Sequence, residues 1–135
     1  MDILIIDGQG GNLGRQLTKR LKEAMPKVDI TAVGTTSTAT ENMLKGDADR
    51  AATGENAVVV NARRARVIAG PLGIVIADAL LDEVTPAMAR AVGSSDAVRV
   101  LIPMNRCDTL VAGVGDILVV PREKTPTGAA ARGNP

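Results

Sequence analysis

The stretch Asp7-Gly8-Gln9-Gly10-Gly11-Asn12-Leu13-Gly14 sets four glycines and a carboxylate directly behind the apolar run Ile3-Leu4-Ile5-Ile6. Where Gly11-x-x-Gly14 opens a helix after a strand, backbone amides at the helix N-terminus have no partner, and the helix dipole favours an anion beside them. In the dinucleotide register G-x-G-x-x-G, Gly11 and Gly14 fill the second and third positions, and Gln9 stands in the first with Gly8 and Gly10 on either side. In that register Gly11 lets backbone approach a pyrophosphate and Gly14 allows close helix packing. The reading predicts that Gly11→Val abolishes binding and leaves the fold intact. A Walker A loop is excluded, because no Gly-Lys-Ser/Thr follows. No acidic ribose clamp ends the second predicted strand; Gly34-Thr35-Thr36-Ser37 offers hydroxyls to a ribose or phosphate instead.

Three further clusters fall where loops should follow strands. Thr53-Gly54-Glu55-Asn56 places a carboxylate and an amide at a helix start, where Glu55 can serve as an acid or base and Asn56 can orient a ligand. Both are also ordinary helix-start residues. Gly70-Pro71-Leu72-Gly73 presents backbone amides to a second ligand group, or forms a tight turn and nothing more. Asn105-Arg106-Cys107-Asp108 is the most polar cluster: Arg106 can pair with a phosphate or carboxylate and would favour the Cys107 thiolate. The catalytic candidates are therefore Asp7, Glu55 and Cys107, with Asp78 a further carboxylate able to move a proton. Arg63-Arg64-x-Arg66 has the look of a basic patch, but no aromatic residue is interleaved with it, and it reads as a solvated helix end.

Composition narrows the chemistry. The 135 residues include no His, Phe, Tyr or Trp. A His general base, a Ser-His-Asp or Cys-His couple and an imidazole metal site are thereby excluded, and no metal site is expected. Stacking platforms for single-stranded nucleic acid are missing as well. Formal charge is +1, and apart from residues 121–135 the chain carries 13 basic and 14 acidic groups. That balance argues against a broad phosphate-backbone surface, so no nucleic-acid partner is expected. No run approaches the roughly 18 apolar residues of a membrane span, and no basic n-region opens the chain, which together predict a cytoplasmic protein without a membrane partner. The single Cys107 and this chain length fit one domain that folds without disulfides.

The elements that must hold these groups alternate. Ile3–Ile6 reads as a strand; Leu13, Leu17, Leu21 and Met25 recur at helical spacing, with Asn12 as N-cap and Pro26 as stop. Val28–Val33 reads as the second strand, and Thr38 with Glu41 has capping-box spacing for a helix ending at Gly46. Arg50–Thr53, Val67–Ala69 and Val98–Ile102 supply three more strands; Glu55–Asn61 has strand propensity at Val58-Val59-Val60, but its place between two strands suits a crossover helix, and another helix is opened by Thr85-Pro86 and stopped at Gly93. The spacing of Ile74, Ala77, Leu80 and Leu81 predicts an apolar helix running through Leu81. Leu110–Val120, with Gly115-Asp116 at its centre, suggests a hairpin, and residues 121–135 read as a disordered tail after a domain of residues 1–120. The alternation defines an α/β fold, Rossmann-like and doubly wound, with a mostly parallel sheet and helices on both faces.

The segments ILIIDGQGGNLG, TGENAVVVNAR, GPLGIVIADALL, TPAMARAVG and LIPMNRC together resemble a family of short bacterial proteins described as a domain of unknown function, over residues 1–114. The resemblance carries over no catalytic residues. The glycine loop alone is similar to that of nicotinamide-dependent dehydrogenases of the prephenate type, which points to a nucleotide or dinucleotide such as NAD(P) as a candidate cofactor. The expected ligand is a nucleotide or another phosphate-bearing small molecule, held on Gly8 to Gly14 and completed by Thr35, Thr36, Ser37, Gly54, Asn56, Gly70, Pro71, Gly73, Asn105 and Arg106. A compact enzyme acting on a small anionic substrate through Glu55 or Asp7 is the alternative; a third is an interaction module without a ligand. A homo-oligomer is expected, since so small a domain is often completed by a second subunit.

Overall fold

The computed structural model describes residues 1–104 and 109–113. Met1–Ile102 form one compact unit. Its elements are β1 (Ile3–Asp7), α1 (Asn12–Ala24), β2 (Ile30–Gly34), α2 (Ser37–Lys45), β3 (Arg50–Thr53), α3 (Glu55–Arg64), β4 (Val67–Pro71), a 3₁₀ turn at Leu72–Val75, a four-residue turn α4 (Ala79–Asp82), α5 (Pro86–Gly93) and β5 (Val98–Ile102). The five strands form one sheet in the order β3-β2-β1-β4-β5, with every neighbouring pair parallel.

The period-two alternation of β1 divides the core. Ile3 and Ile5 face one layer with Ile30 and Ala32 of β2, Ala39 and Met43 of α2, and Leu17 and Leu21 of α1. Leu4 and Ile6 face the other with Val33, Ile68, Val58 and Ala62 of α3, and Met88 and Val92 of α5. Both faces of β1 are covered, which is why its sequence is a continuous aliphatic run. Leu4, Ile5, Ile6, Ile30 and Ile68 are fully buried, and each such side chain contributes about 1.5–3 kcal/mol of burial free energy. No aromatic residue is needed to fill the interior.

The crossover through α3 passes β2 and β1 to set β4 on the far side of β1, so the winding reverses between β1 and β4. Ligands of open α/β sheets bind outside the carboxyl ends of the strands at such a reversal. At the opposite edge of the sheet, Asp29 meets Arg50 at 2.9 Å and the N-terminal ammonium at 3.2 Å, and Asp49 meets Lys22 at 2.6 Å. The Arg50 hydrogen bond holds the Asp29 carboxyl below its usual range, and the Lys22 hydrogen bond does the same for Asp49.

Four local expectations are corrected. α1 has Gly11 rather than Asn12 as its N-cap, with no side-chain cap, and its buried residues are Gly14 and Thr18. Met25 lies past the last turn as the C-cap and is 45% exposed, while Leu17 and Leu21 pack partly buried against the core. β2 begins at Ile30 rather than Val28, since Val28 closes a turn by donating its amide to the Met25 carbonyl. α2 is capped by Thr36, whose hydroxyl accepts the Ala39 amide, because burying Ala39 against Gly11 starts the helix two residues earlier than Thr38 would. The helix expected through Leu81 is absent. Ile74-Val75-Ile76 are three successive β-branched residues, poor in a helix. Ile76 is extended, Ala77 is exposed, and Leu80 and Leu81 are left-handed. Thr85-Pro86 does open α5, with the Thr85 hydroxyl accepting the Met88 amide.

No described helix is long and apolar enough to cross a membrane. The domain boundary at residue 120, the Gly115-Asp116 hairpin and the tail from 121 to 135 lie outside the described residues.

Candidate functional site

β1 ends in Asp7, whose side chain folds inward and is only 6% exposed. Its Oδ1 accepts the Gly8 amide at 2.8 Å and its Oδ2 accepts the Gly14 amide at 2.7 Å. The carboxylate thus ties the two ends of the glycine turn together from beneath. Burial pushes the Asp7 carboxyl above its ordinary range; the two amides pull it down, and the charge of Glu83 pushes it up further.

Between those ends the turn is pinned on every side. Gly11 donates its amide to the Gly8 carbonyl at 2.9 Å, the Thr36 hydroxyl donates to the Gln9 carbonyl at 2.8 Å, and the Asn42 amide group donates to the Gly10 carbonyl at 2.6 Å. Asn42 is itself held by Arg15 at 3.1 Å. Gly11 is left-handed at φ 76°, and a Cβ there would stand 2.6 Å from the Ala39 Cα, so only glycine fits. Gly11→Val would therefore damage the packing of α1 on α2, contrary to the expectation that it spares the fold.

The first intrahelical bond of α1 runs from the Arg15 amide to the Gly11 carbonyl at 2.9 Å. The Gly14 amide is taken by Asp7. The amides of Gly10, Asn12 and Leu13 have no hydrogen-bond partner among the described residues. Gly10 and Asn12 are exposed and Leu13 is half-buried. These three donors stand at the positive end of a 13-residue helix beside the reversal of the sheet. An anionic oxygen is the complement of that arrangement.

Glu83, which the sequence reading did not single out, reaches the same turn. Its Oε1 accepts the Gln9 amide at 2.7 Å and the Thr35 hydroxyl at 2.7 Å. It is delivered by the segment Asp78–Val84. Asp78, Leu80, Leu81 and Asp82 all have positive φ there, between 56° and 69°. A left-handed leucine costs roughly 1–2 kcal/mol, so something must hold the segment in place. The Asp78 amide bonds the Val84 carbonyl at 2.6 Å, and Ala79 and Val84 are buried in the core at either end. The exposed tip is Leu81, at 85%.

The other expected residues distribute as follows. Thr35 and Thr36 join the turn as described, and Ser37 is exposed at the first position of α2. Gly54 is the N-cap of α3, at a φ of 106° that favours glycine, and donates its amide to the Gly34 carbonyl at 2.9 Å. Glu55 and Asn56 follow it on the exposed start of α3, at the end of β3 and two strands from β1. Gly70 and Pro71 end β4 beside β1, and a Cβ on Gly70 would strike the Ile6 carbonyl. Gly73 is buried in the 3₁₀ turn, facing Ala79 and Leu80. Asn105, Arg106 and Cys107 lie outside the described residues.

Architecture and turn together define a class: a Rossmann-like, doubly wound α/β domain with a glycine turn at the carboxyl edge of its central strand. Within that class the chain belongs to the family described as Domain of unknown function (DUF3842), whose model matches residues 2–121. No curated protein and no solved structure matches it.

Proposed function

We propose that the domain binds a phosphate-bearing small molecule, a nucleotide or dinucleotide in the first instance, with a phosphate on the amides of Gly10, Asn12 and Leu13. The observation that carries this reading is that these three donors alone in the glycine turn lack a protein acceptor among the described residues, while every neighbouring amide has one. They converge on one helix N-terminus, where partial positive charge adds to the hydrogen bonds. Asp7 acts here as a positioning residue. It fixes the turn from below and leaves the outward amides to the ligand. The exposed hydroxyl of Ser37 and the side chains of Asn12 and Asn56 supply neutral polar groups around the carboxyl edge for the remainder of the ligand.

Gly10 provides the test. A Cβ at this position meets nothing within 4 Å, so Gly10→Val keeps the turn and adds bulk in front of its amides. The protein contains no Trp, Tyr or Phe, so a retained nucleotide shows directly as an absorbance band near 260 nm. ADP and NAD should bind the wild type saturably in calorimetry and bind Gly10→Val at least about tenfold more weakly, a loss of about 1.4 kcal/mol. Equal affinity in a folded Gly10→Val protein would reject the placement.

A further inference from the structure

The segment Asp78–Val84 combines three features. Four of its residues are left-handed without being glycine, its tip exposes Leu81, and it places a carboxylate on the turn that carries the open amides. The contacts of Glu83 join residues 74 and 48 positions apart. Room for them is made by Gly8, where a Cβ would lie 2.6 Å from both the Glu83 Oε1 and the Thr35 hydroxyl oxygen. The glycine at position 8 therefore admits the Glu83 carboxylate to the site.

We propose that Asp78–Val84 is an internal plug: in the unliganded domain Glu83 takes the Gln9 amide and the Thr35 hydroxyl, and a ligand phosphate on the neighbouring amides of Gly10, Asn12 and Leu13 drives it off as the strap lifts. The inference rests on the phosphate-binding reading of the glycine turn and describes how that site is regulated. The amide that Glu83 occupies, Gln9, is adjacent to the open amide of Gly10, and two anions side by side in a half-buried turn repel one another. A phosphate that reaches Gly10, Asn12 and Leu13 therefore drives Glu83 away from Gln9. The left-handed residues store strain at the tip of the segment, which lowers the cost of moving it. The hinges are already present: Ala79 and Val84 are fixed in the core, and the residues between them are half-buried or exposed.

The experiment titrates inorganic phosphate and ADP into the wild type, Glu83→Gln and Glu83→Ala, and follows hydrogen exchange across residues 78–84. Glu83→Gln keeps the shape of the side chain, so a folding defect in Glu83→Ala cannot mimic the outcome. The plug predicts that ADP binds Glu83→Ala about tenfold tighter than wild type, as removal of one competing charge-assisted contact implies. It also predicts that exchange at 78–84 rises in the wild type when ADP is added. Unchanged or weaker binding in both variants, or a strap that becomes protected on binding, would overturn the plug and make Glu83 a ligand contact, with the phosphate reading intact. If none of the three proteins binds either probe, the phosphate reading itself is overturned, and the plug with it.

Discussion

Gly10 and Gly11 are adjacent, yet substitution at each should have opposite consequences for stability. At Gly11 a side chain meets two penalties. The left-handed backbone at φ 76° costs a non-glycine residue about 1–2 kcal/mol. A Cβ 2.6 Å from the Ala39 Cα and 2.8 Å from its carbonyl oxygen forces backbone apart, and overpacking of that kind costs about 1–3 kcal/mol. Gly11→Ala should therefore lose about 2–5 kcal/mol, a large part of the 5–15 kcal/mol typical of a whole domain. At Gly10 the backbone is not left-handed and the space is open. Gly10→Ala should lie within about 0.5 kcal/mol of wild type, or gain up to about 1 kcal/mol from a stiffer unfolded chain. Urea unfolding followed by far-UV circular dichroism is the assay, since no tryptophan is present for fluorescence. With a slope of roughly 1–3 kcal/mol per molar urea, the Gly11→Ala midpoint should fall by on the order of 1–2 M while that of Gly10→Ala stays in place. Midpoints that move together would refute the close approach of α1 to α2 from which the difference is derived.

Further consequences are measurable by the same unfolding experiment. Thr85→Ala removes the hydroxyl that accepts the Met88 amide and should cost about 1 kcal/mol, and Thr36→Ala should cost more because its hydroxyl also donates to the Gln9 carbonyl. Leu81→Gly should stabilise the protein by about 0.5–1 kcal/mol, against the usual sign for glycine, because the residue is left-handed and 85% exposed; a loss of stability would contradict the strain. Because the Asp7 carboxyl is raised in the folded state, its contribution is fully present below the unfolded value and declines as pH rises through the folded one. Asp7→Asn should accordingly gain on wild type as pH increases through that window, and a relative loss would show that the two amides outweigh burial. Asp29 and Asp49 are lowered and run the other way, so the stability they supply should disappear as pH falls through their depressed values.

Much of the architecture is legible because its signals are local. Ile3-Leu4-Ile5-Ile6 reads as a strand covered on both faces because a short continuous aliphatic run is followed at once by glycines, and Thr85-Pro86 followed by Gly93 delimits α5 at both ends. The glycine turn is visible for the same reason, since turn chemistry is carried by adjacent residues. The region from Leu72 to Val84 is not. Ile74, Ala77, Leu80 and Leu81 fall at helical spacing, but the β-branched run and the anchors at Ala79 and Val84 decide the conformation, and those anchors exist only in the folded core. Within the site, the inward turn of Asp7 could not be foreseen from a carboxylate at a strand end, because its partners are amides whose direction the turn itself sets. Glu83 lay between two predicted helices with nothing in its neighbourhood to mark it. Its partners, Gln9 and Thr35, are brought to it by the parallel sheet.

The most direct test of the account is amide chemical-shift mapping by NMR of the 15N-labelled protein during titration with ADP, with inorganic phosphate as a second probe. Saturable shifts should be largest at Gly10, Asn12 and Leu13, with a smaller response at Gln9 as Glu83 is displaced. Saturation centred on any other part of the sheet edge, or no saturable response at these three amides, would contradict it.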